Sequence, residues 1–137
     1  RWYGPGPEAT YCDRKKGGKL GIWTSTAEES MAPNLTPQEC GNHTAVRWAS
    51  VTDASGLGLL FEGDQMEFSA LPWTPHELEC AAHPHELPAV HRTAVRVSAM
   101  QMGLGGDDSW GSKPRPEYLL PEEEMTFRFR FKGVGMP

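Results

Sequence analysis

What most constrains this chain is the regular alternation of short apolar runs with turn residues through its middle. Thr44 to Thr52 reads as a strand, with Val46, Trp48 and Ser50 on one face and Ala45, Arg47 and Ala49 on the other. Asp53-Ala54-Ser55-Gly56 has the composition of a hairpin turn leading into Leu57-Gly58-Leu59-Leu60-Phe61. Glu62-Gly63-Asp64-Gln65 then reads as a second turn and Met66 to Ala70 as a third strand. Strands this short, joined this tightly, form a meander rather than the strand-helix alternation of a parallel sheet. The fold class expected is therefore all-β, an antiparallel β-sandwich.

The flanking segments fit that class. Leu20 to Ser25 offers another short strand, Thr26 to Asn34 a polar connection, and Pro37-Gln38-Glu39-Cys40-Gly41-Asn42 a turn. From Arg1 to Asp13 the chain is rich in Gly, Pro and aromatics, which predicts an extended entry with Trp2 and Tyr3 as core anchors. Thr93 to Met100 alternates Val95, Val97 and Ala99 against Arg96 and Ser98. Tyr118-Leu119-Leu120 makes a short extended piece. Met125 to Phe131 alternates so cleanly that Phe127, Phe129 and Phe131 are expected in the core. One helix stands out near residues 75–82, because Thr74 can cap, Pro75 suits the first helical position and Glu77 can close a capping box.

Length and charge narrow the functions. The 137 residues suit one domain, residues 1–137. A formal charge of −5 and a pI near 5.5 argue against nucleic acid, since phosphate binding needs a basic face. The chain has no apolar run of about 18 residues and no leader-like start, so it reads as soluble, with no membrane partner. An Arg rather than a Met at position 1 suggests an excised piece. Cys12, Cys40 and Cys80 are few, odd in number and scattered, which fits reduced thiols. Asn42-His43-Thr44 matches the glycosylation pattern, a match of little weight in a non-secreted chain.

Candidate chemistry concentrates in Met102-Gly103-Leu104-Gly105-Gly106-Asp107-Asp108-Ser109-Trp110-Gly111, where closely spaced glycines run into two carboxylates and an aromatic. Two readings stand. One is a plain connection between strands. The other is a carbohydrate-facing loop, in which Asp107 and Asp108 accept hydrogen bonds from sugar hydroxyls and the Trp110 indole lies against a pyranose, although adjacent residues of an extended chain point to opposite sides. The run Asp13-Arg14-Lys15-Lys16-Gly17-Gly18-Lys19 lacks the spacing of a phosphate-binding loop and reads as a solvated turn. His76, Cys80, His83 and His85 are metal-ligand types, but their spacing matches no standard zinc site, and no metal or cofactor is expected.

The loop also closely resembles the signature near the C-terminus of the large bacterial β-galactosidases of glycoside hydrolase family 2, within their small-chain domain. Three further motifs occur in the same order: Trp2-Tyr3-Gly4-Pro5-Gly6-Pro7-Glu8 with Tyr11 and Asp13-Arg14-Lys15; Pro37-Gln38-Glu39 with Gly41-Asn42 and Val46-Arg47-Trp48; and Phe68-Ser69-Ala70-Leu71-Pro72. The resemblance covers nearly the whole chain. It implies the C-terminal portion of a supersandwich of the galactose-mutarotase-like type, whose earlier strands lie N-terminal to Arg1 in relatives. It also implies a cytoplasmic bacterial enzyme hydrolysing terminal β-D-galactosides such as lactose. Retaining glycosidases need two carboxylates flanking the scissile bond, and in this family both are glutamates on a barrel domain that 137 residues cannot hold. No catalytic residue is therefore expected here, and the isolated chain should be inactive. Asp107, Asp108, Trp110 and Arg92 are the residues expected to face the sugar.

The sequence also departs from the family pattern. The tryptophan that relatives place against the sugar falls on Ala94, so either the substrate is held differently or the segment around His91, Arg92 and Thr93 is shifted. Cys40 stands where relatives often carry Asn and Ala45 where they often carry Asp. The expected partners are the β-galactoside, the rest of a longer parent chain and, for the isolated piece, a second copy. The rival reading is a free-standing carbohydrate-binding module built on Trp2, Tyr3, Trp23, Trp73 and Trp110.

Overall fold

The computed structural model describes residues 1–108 and 110–135. Its elements in chain order are β1 (Trp2–Gly6), β2 (Lys19–Trp23), β3 (His43–Thr52), β4 (Gly58–Leu71), α1 (Pro75–Cys80), β5 (Ala94–Ser98) and β6 (Phe129–Val134). Single 3-10 turns lie at Lys15–Gly17, Pro84–Glu86 and Pro116–Tyr118. The protein is all-β and antiparallel, the class expected of a β-sandwich. The strands form one six-stranded sheet in the order β2-β1-β3-β4-β5, and β6 also pairs with β4.

The long strand β4 organises the sheet. One side of it pairs with β3; the other is shared, with β6 along Gly58–Gly63 and β5 along Glu67–Leu71. The Glu62-Gly63-Asp64-Gln65 segment, expected as a turn, stays inside this strand. Gly63, Asp64 and Gln65 lie opposite the single residue Arg47, while Thr44 and Ala45 lie opposite Glu67. Such bulges bend a strand without ending it. The bend is carried by Ala45 at φ 55° and Gln65 at φ 58°, left-handed conformations uncommon for residues with a Cβ. The hairpin turn before β4 forms as expected, with the Asp53 carboxylate accepting from the Ser55 and Leu57 amides at 2.8 and 3.1 Å.

Paired residues share a face, and one face of the sheet carries the core: Trp2, Val46, Ala49, Phe61, Met66 and Phe68, with Trp23, Val51, Ala70, Val97 and Phe127 packed beside them. The extended entry is itself the strand β1, and its Pro5 is tolerated because β3 pairs only with Trp2 and Tyr3. The phenylalanine stripe departs from expectation. The strand begins at Phe129 rather than Met125, and Phe129 and Phe131 are 43% and 64% exposed. They alternate toward the apolar face as predicted, but they sit at its margin, where no described segment covers them. The Tyr118 piece is a 3-10 turn begun by Pro116, not a strand.

The helix forms where Thr74 and Glu77 predict it. The Thr74 hydroxyl accepts from the Glu77 amide at 3.2 Å and the Glu77 carboxylate accepts from the Thr74 amide at 2.8 Å. It ends at Cys80, short of residue 82, because Ala81 is already extended and His83 precedes Pro84. Its buried residue is Leu78.

Candidate functional site

The Gly-rich loop is docked, not free. The Gly103 amide donates to the Tyr118 carbonyl at 2.9 Å, and the Gly105 amide donates to Asp13 Oδ2 at 2.7 Å. Gly103 is buried so tightly that a Cβ there would stand 2.7 Å from Asp13 Oδ2 and 2.8 Å from Tyr118 Cβ, so only glycine fits without displacement. Beyond it opens a cleft of about 430 Å³, lined by Asp13, Gly105, Gly106, Asp107, Lys113 and Arg115 among others.

The two aspartates are in different settings. Asp107 lines this cleft. The Asp108 carboxylate instead accepts from the Trp110 amide at 2.7 Å. That bond, followed by the Ser112 hydroxyl, holds its pKa below the usual carboxylate range. Trp110 is 92% exposed. The loop signature also includes Ser109, which lies outside the described residues. Arg92 is placed elsewhere, donating to Glu77 Oε1 at 2.8 Å and so bracing the capping box of α1. The structure thus groups Asp107, Asp108 and Trp110 on one loop and ties Arg92 to the helix. Ala94 opens β5 opposite Leu71. Two residues on, Arg96 pairs with Glu39, joining the Pro37-Gln38-Glu39 motif to the same strand.

Sequence reasoning missed two groups. Asp13, read as part of a solvated turn, is half-buried beneath the loop, and a carboxylate following a buried Tyr11 was the available signal. The other group is a polar cluster inside the domain. Glu67, 7% exposed, accepts from Thr44 Oγ1 and Asn42 Nδ2, both at 2.5 Å; Asn42 Nδ2 also donates to the Thr10 carbonyl at 3.0 Å. Burial pushes the Glu67 carboxyl above its ordinary pKa, against the pull of these hydrogen bonds. With Asn42 fully buried, the glycosylation pattern is not presented to a modifying enzyme. Of the metal-ligand types, Cys80 Sγ lies 3.7 Å from both His76 ring nitrogens and His83 pairs with Glu86 at 3.2 Å. Among the described residues, no group of three or more His, Cys, Asp or Glu could hold a metal ion.

These settings imply acid sensitivity of known sign. The Thr74 amide and hydroxyl, with Arg92, hold Glu77 down to about 2 from 4.5, so its contribution is complete above pH 4.5 and is lost as pH falls toward 2. His43 is lowered from 6.5 to about 4 chiefly by burial. Between pH 6.5 and 4 the unfolded chain therefore takes up a proton that the folded chain refuses. Glu67 acts in the opposite sense and offsets part of this. The urea midpoint is expected to fall steadily from pH 7 to pH 4. His43→Phe, which keeps an aromatic ring against Trp2 where the two tilted rings now stand 4.0 Å apart, should flatten that decline. An unchanged slope would show that His43 titrates normally.

Fold and loop together define a class: an antiparallel all-β domain whose Gly-rich loop, carrying two aspartates and an exposed indole, is clamped against its N-terminal segment. A family model described as the β-galactosidase small chain matches residues 1–131, and the chain belongs to that family. A β-galactosidase of Priestia megaterium is 49% identical over 120 residues, which is 87% of this chain and 12% of that protein. One from Halalkalibacterium halodurans is 44% identical over 136 residues, 97% of this chain and 13% of that protein. A β-galactosidase small subunit of Latilactobacillus sakei is 39% identical over 133 residues, 88% of this chain and 42% of the subunit. The chain thus spans about an eighth of the long relatives and under half of the small subunit. Among the described residues no helix is long and apolar enough to cross a membrane.

Proposed function

We propose that this chain is a C-terminal accessory portion of a cytoplasmic bacterial β-galactosidase of glycoside hydrolase family 2. The whole enzyme hydrolyses terminal β-D-galactosides such as lactose, with its catalytic glutamates on a barrel domain outside this sequence. The observation that carries the reading is the match to the small-chain family over residues 1–131, joined to relatives that are named β-galactosidases and are far longer than this chain. In this role the docked loop helps wall the sugar site, with Asp107 and Asp108 toward hydroxyls and Trp110 against the apolar face of the ring, while Arg92, held by Glu77 at α1 rather than on the loop, would reach the sugar from the helix side. An indole 92% exposed on a clamped loop supports that use, since a rigid aromatic surface binds a sugar face at low entropic cost. The rival carbohydrate-binding module needs an exposed aromatic platform, and of its five aromatics only Trp110 is exposed.

The test compares three samples on a chromogenic galactoside. The isolated 137-residue chain is expected to give no turnover, and the full-length polypeptide to hydrolyse it. Trp110→Ala in the full-length polypeptide should raise KM about 5-fold to 150-fold, the scale of one stacking contact of about 1–3 kcal/mol. Turnover by the isolated chain would sink the accessory reading.

The isolated chain should also self-associate through the margin of its apolar face. Leu59, Val95, Phe129 and Phe131 are all exposed there beside Phe61 and Val97, and contiguous apolar surface of this kind favours association. Sedimentation at micromolar concentration is expected to show a dimer or larger species, and Phe129→Ser with Phe131→Ser to shift it to monomer. A wild-type chain that stays monomeric would mean this face closes on itself in solution.

A further inference from the structure

We propose that Asp13 is a positioning residue for the sugar-facing loop, setting where Asp107, Asp108 and Trp110 stand relative to the sheet; this rests on the loop role proposed above. The segment carrying Asp13 is rigidly held. The Thr10 amide donates to the Asn42 carbonyl at 2.7 Å, the Thr44 amide donates to Thr10 Oγ1 at 3.0 Å, and Thr10 and Tyr11 are 1% and 6% exposed. From that base the Asp13 carboxylate reaches across 92 positions of sequence to the Gly105 amide. A hydrogen bond from a backbone amide to a carboxylate is roughly twice as strong as a neutral one.

The other side of the clamp is the Tyr118 carbonyl, which accepts from the Gly103 amide at 2.9 Å and lies 3.9 Å from Cys12 Sγ. Residues 102–108 belong to no strand and so have no ladder to fix their register. Trp110, being almost wholly exposed, draws no positioning from packing of its own. Its place follows from the Asp108 turn, and the place of that turn follows from Gly103 and Gly105. Of the two anchors, Asp13 is the one made by a side chain, and the one a substitution can remove.

The experiment uses the full-length polypeptide with Asp13→Ala, Asp13→Asn, Gly105→Pro and, as a control, Lys16→Ala on the exposed turn nearby. Two readouts are taken: deuterium uptake by peptides spanning residues 101–108, and KM against kcat for a chromogenic galactoside. Asp13→Ala is expected to speed exchange in that peptide about 10-fold to 100-fold and to raise KM about 10-fold while kcat changes less. Gly105→Pro removes the donor instead of the acceptor and should reproduce the KM effect if Asp13→Ala fails to fold. Asp13→Asn, which still offers an oxygen acceptor, should recover most of both effects, and Lys16→Ala should change neither. Unaltered exchange in Asp13→Ala would overturn the clamp whatever the activity. Faster exchange with KM unchanged would keep the clamp but show that the loop does not face the sugar, overturning the positioning role through the reading it rests on.

Discussion

Glu67→Ala is expected to cost about 2–6 kcal/mol, the sum of leaving two buried donors without an acceptor. Thr44 Oγ1 and Asn42 Nδ2 each donate to a separate oxygen of this carboxylate at 2.5 Å, in a place where Asn42 is 0% and Thr44 5% exposed. Asn42 would keep only its bond to the Thr10 carbonyl, and its Oδ1 already lacks a partner. The loss should therefore reach the Thr10 to Asp13 segment and, through it, the loop. Glu67→Gln should cost less, because its carbonyl can still accept from Thr44 while its amide faces Asn42 with the wrong polarity. Urea unfolding of the two variants checks this. A loss under about 1 kcal/mol for the alanine variant, well short of two stranded donors, would mean that water replaces the carboxylate at little cost.

Met66→Ala should destabilise by a comparable about 2–5 kcal/mol, from lost transfer energy and the cavity left behind. Met66 is 0% exposed, pairs with Val46 and belongs to the same cluster as Phe61 and Phe68. It also fills the inside of the bulge, where its Cγ and Sδ would stand 2.8 Å from a Cβ added to Gly63, so the void has little backbone freedom to collapse into. Leu35→Ala is the matched comparison. Leu35 is 91% exposed, and its removal should stay within about 0.5 kcal/mol. If the two substitutions cost the same by thermal or urea unfolding, the cluster around Met66 is not the centre of stability.

Much of the fold was legible from local pattern. The hairpin at Asp53 to Gly56 and the capping box at Thr74 and Glu77 depend on residues within a few positions of one another, and both form as their chemistry requires. The alternation of Val95 and Val97 against Arg96 likewise predicted which side chains of β5 share a face. The family resemblance rested on the same kind of short contiguous motif, and the small-chain match bears it out.

The expectations that failed depend on distant partners. Glu62-Gly63-Asp64-Gln65 has turn chemistry by itself, yet it stays in β4 because β3 and β6 hold the backbone on either side and a bulge absorbs the surplus residues. Phe127, Phe129 and Phe131 alternate as a buried stripe should, but alternation fixes only which side chains share a face, and burial requires a second surface to cover it. Asp13 resembles any carboxylate beside a basic run until the loop bearing Gly105 arrives 92 residues later. By itself, then, the sequence determined the all-β class, the turns, the helix cap and the family, because those are settled by neighbouring residues. The tertiary structure alone decided the continuity of β4, the depth of Glu67 and the anchoring of the loop, because each is a contact between segments whose mutual distance no local pattern encodes.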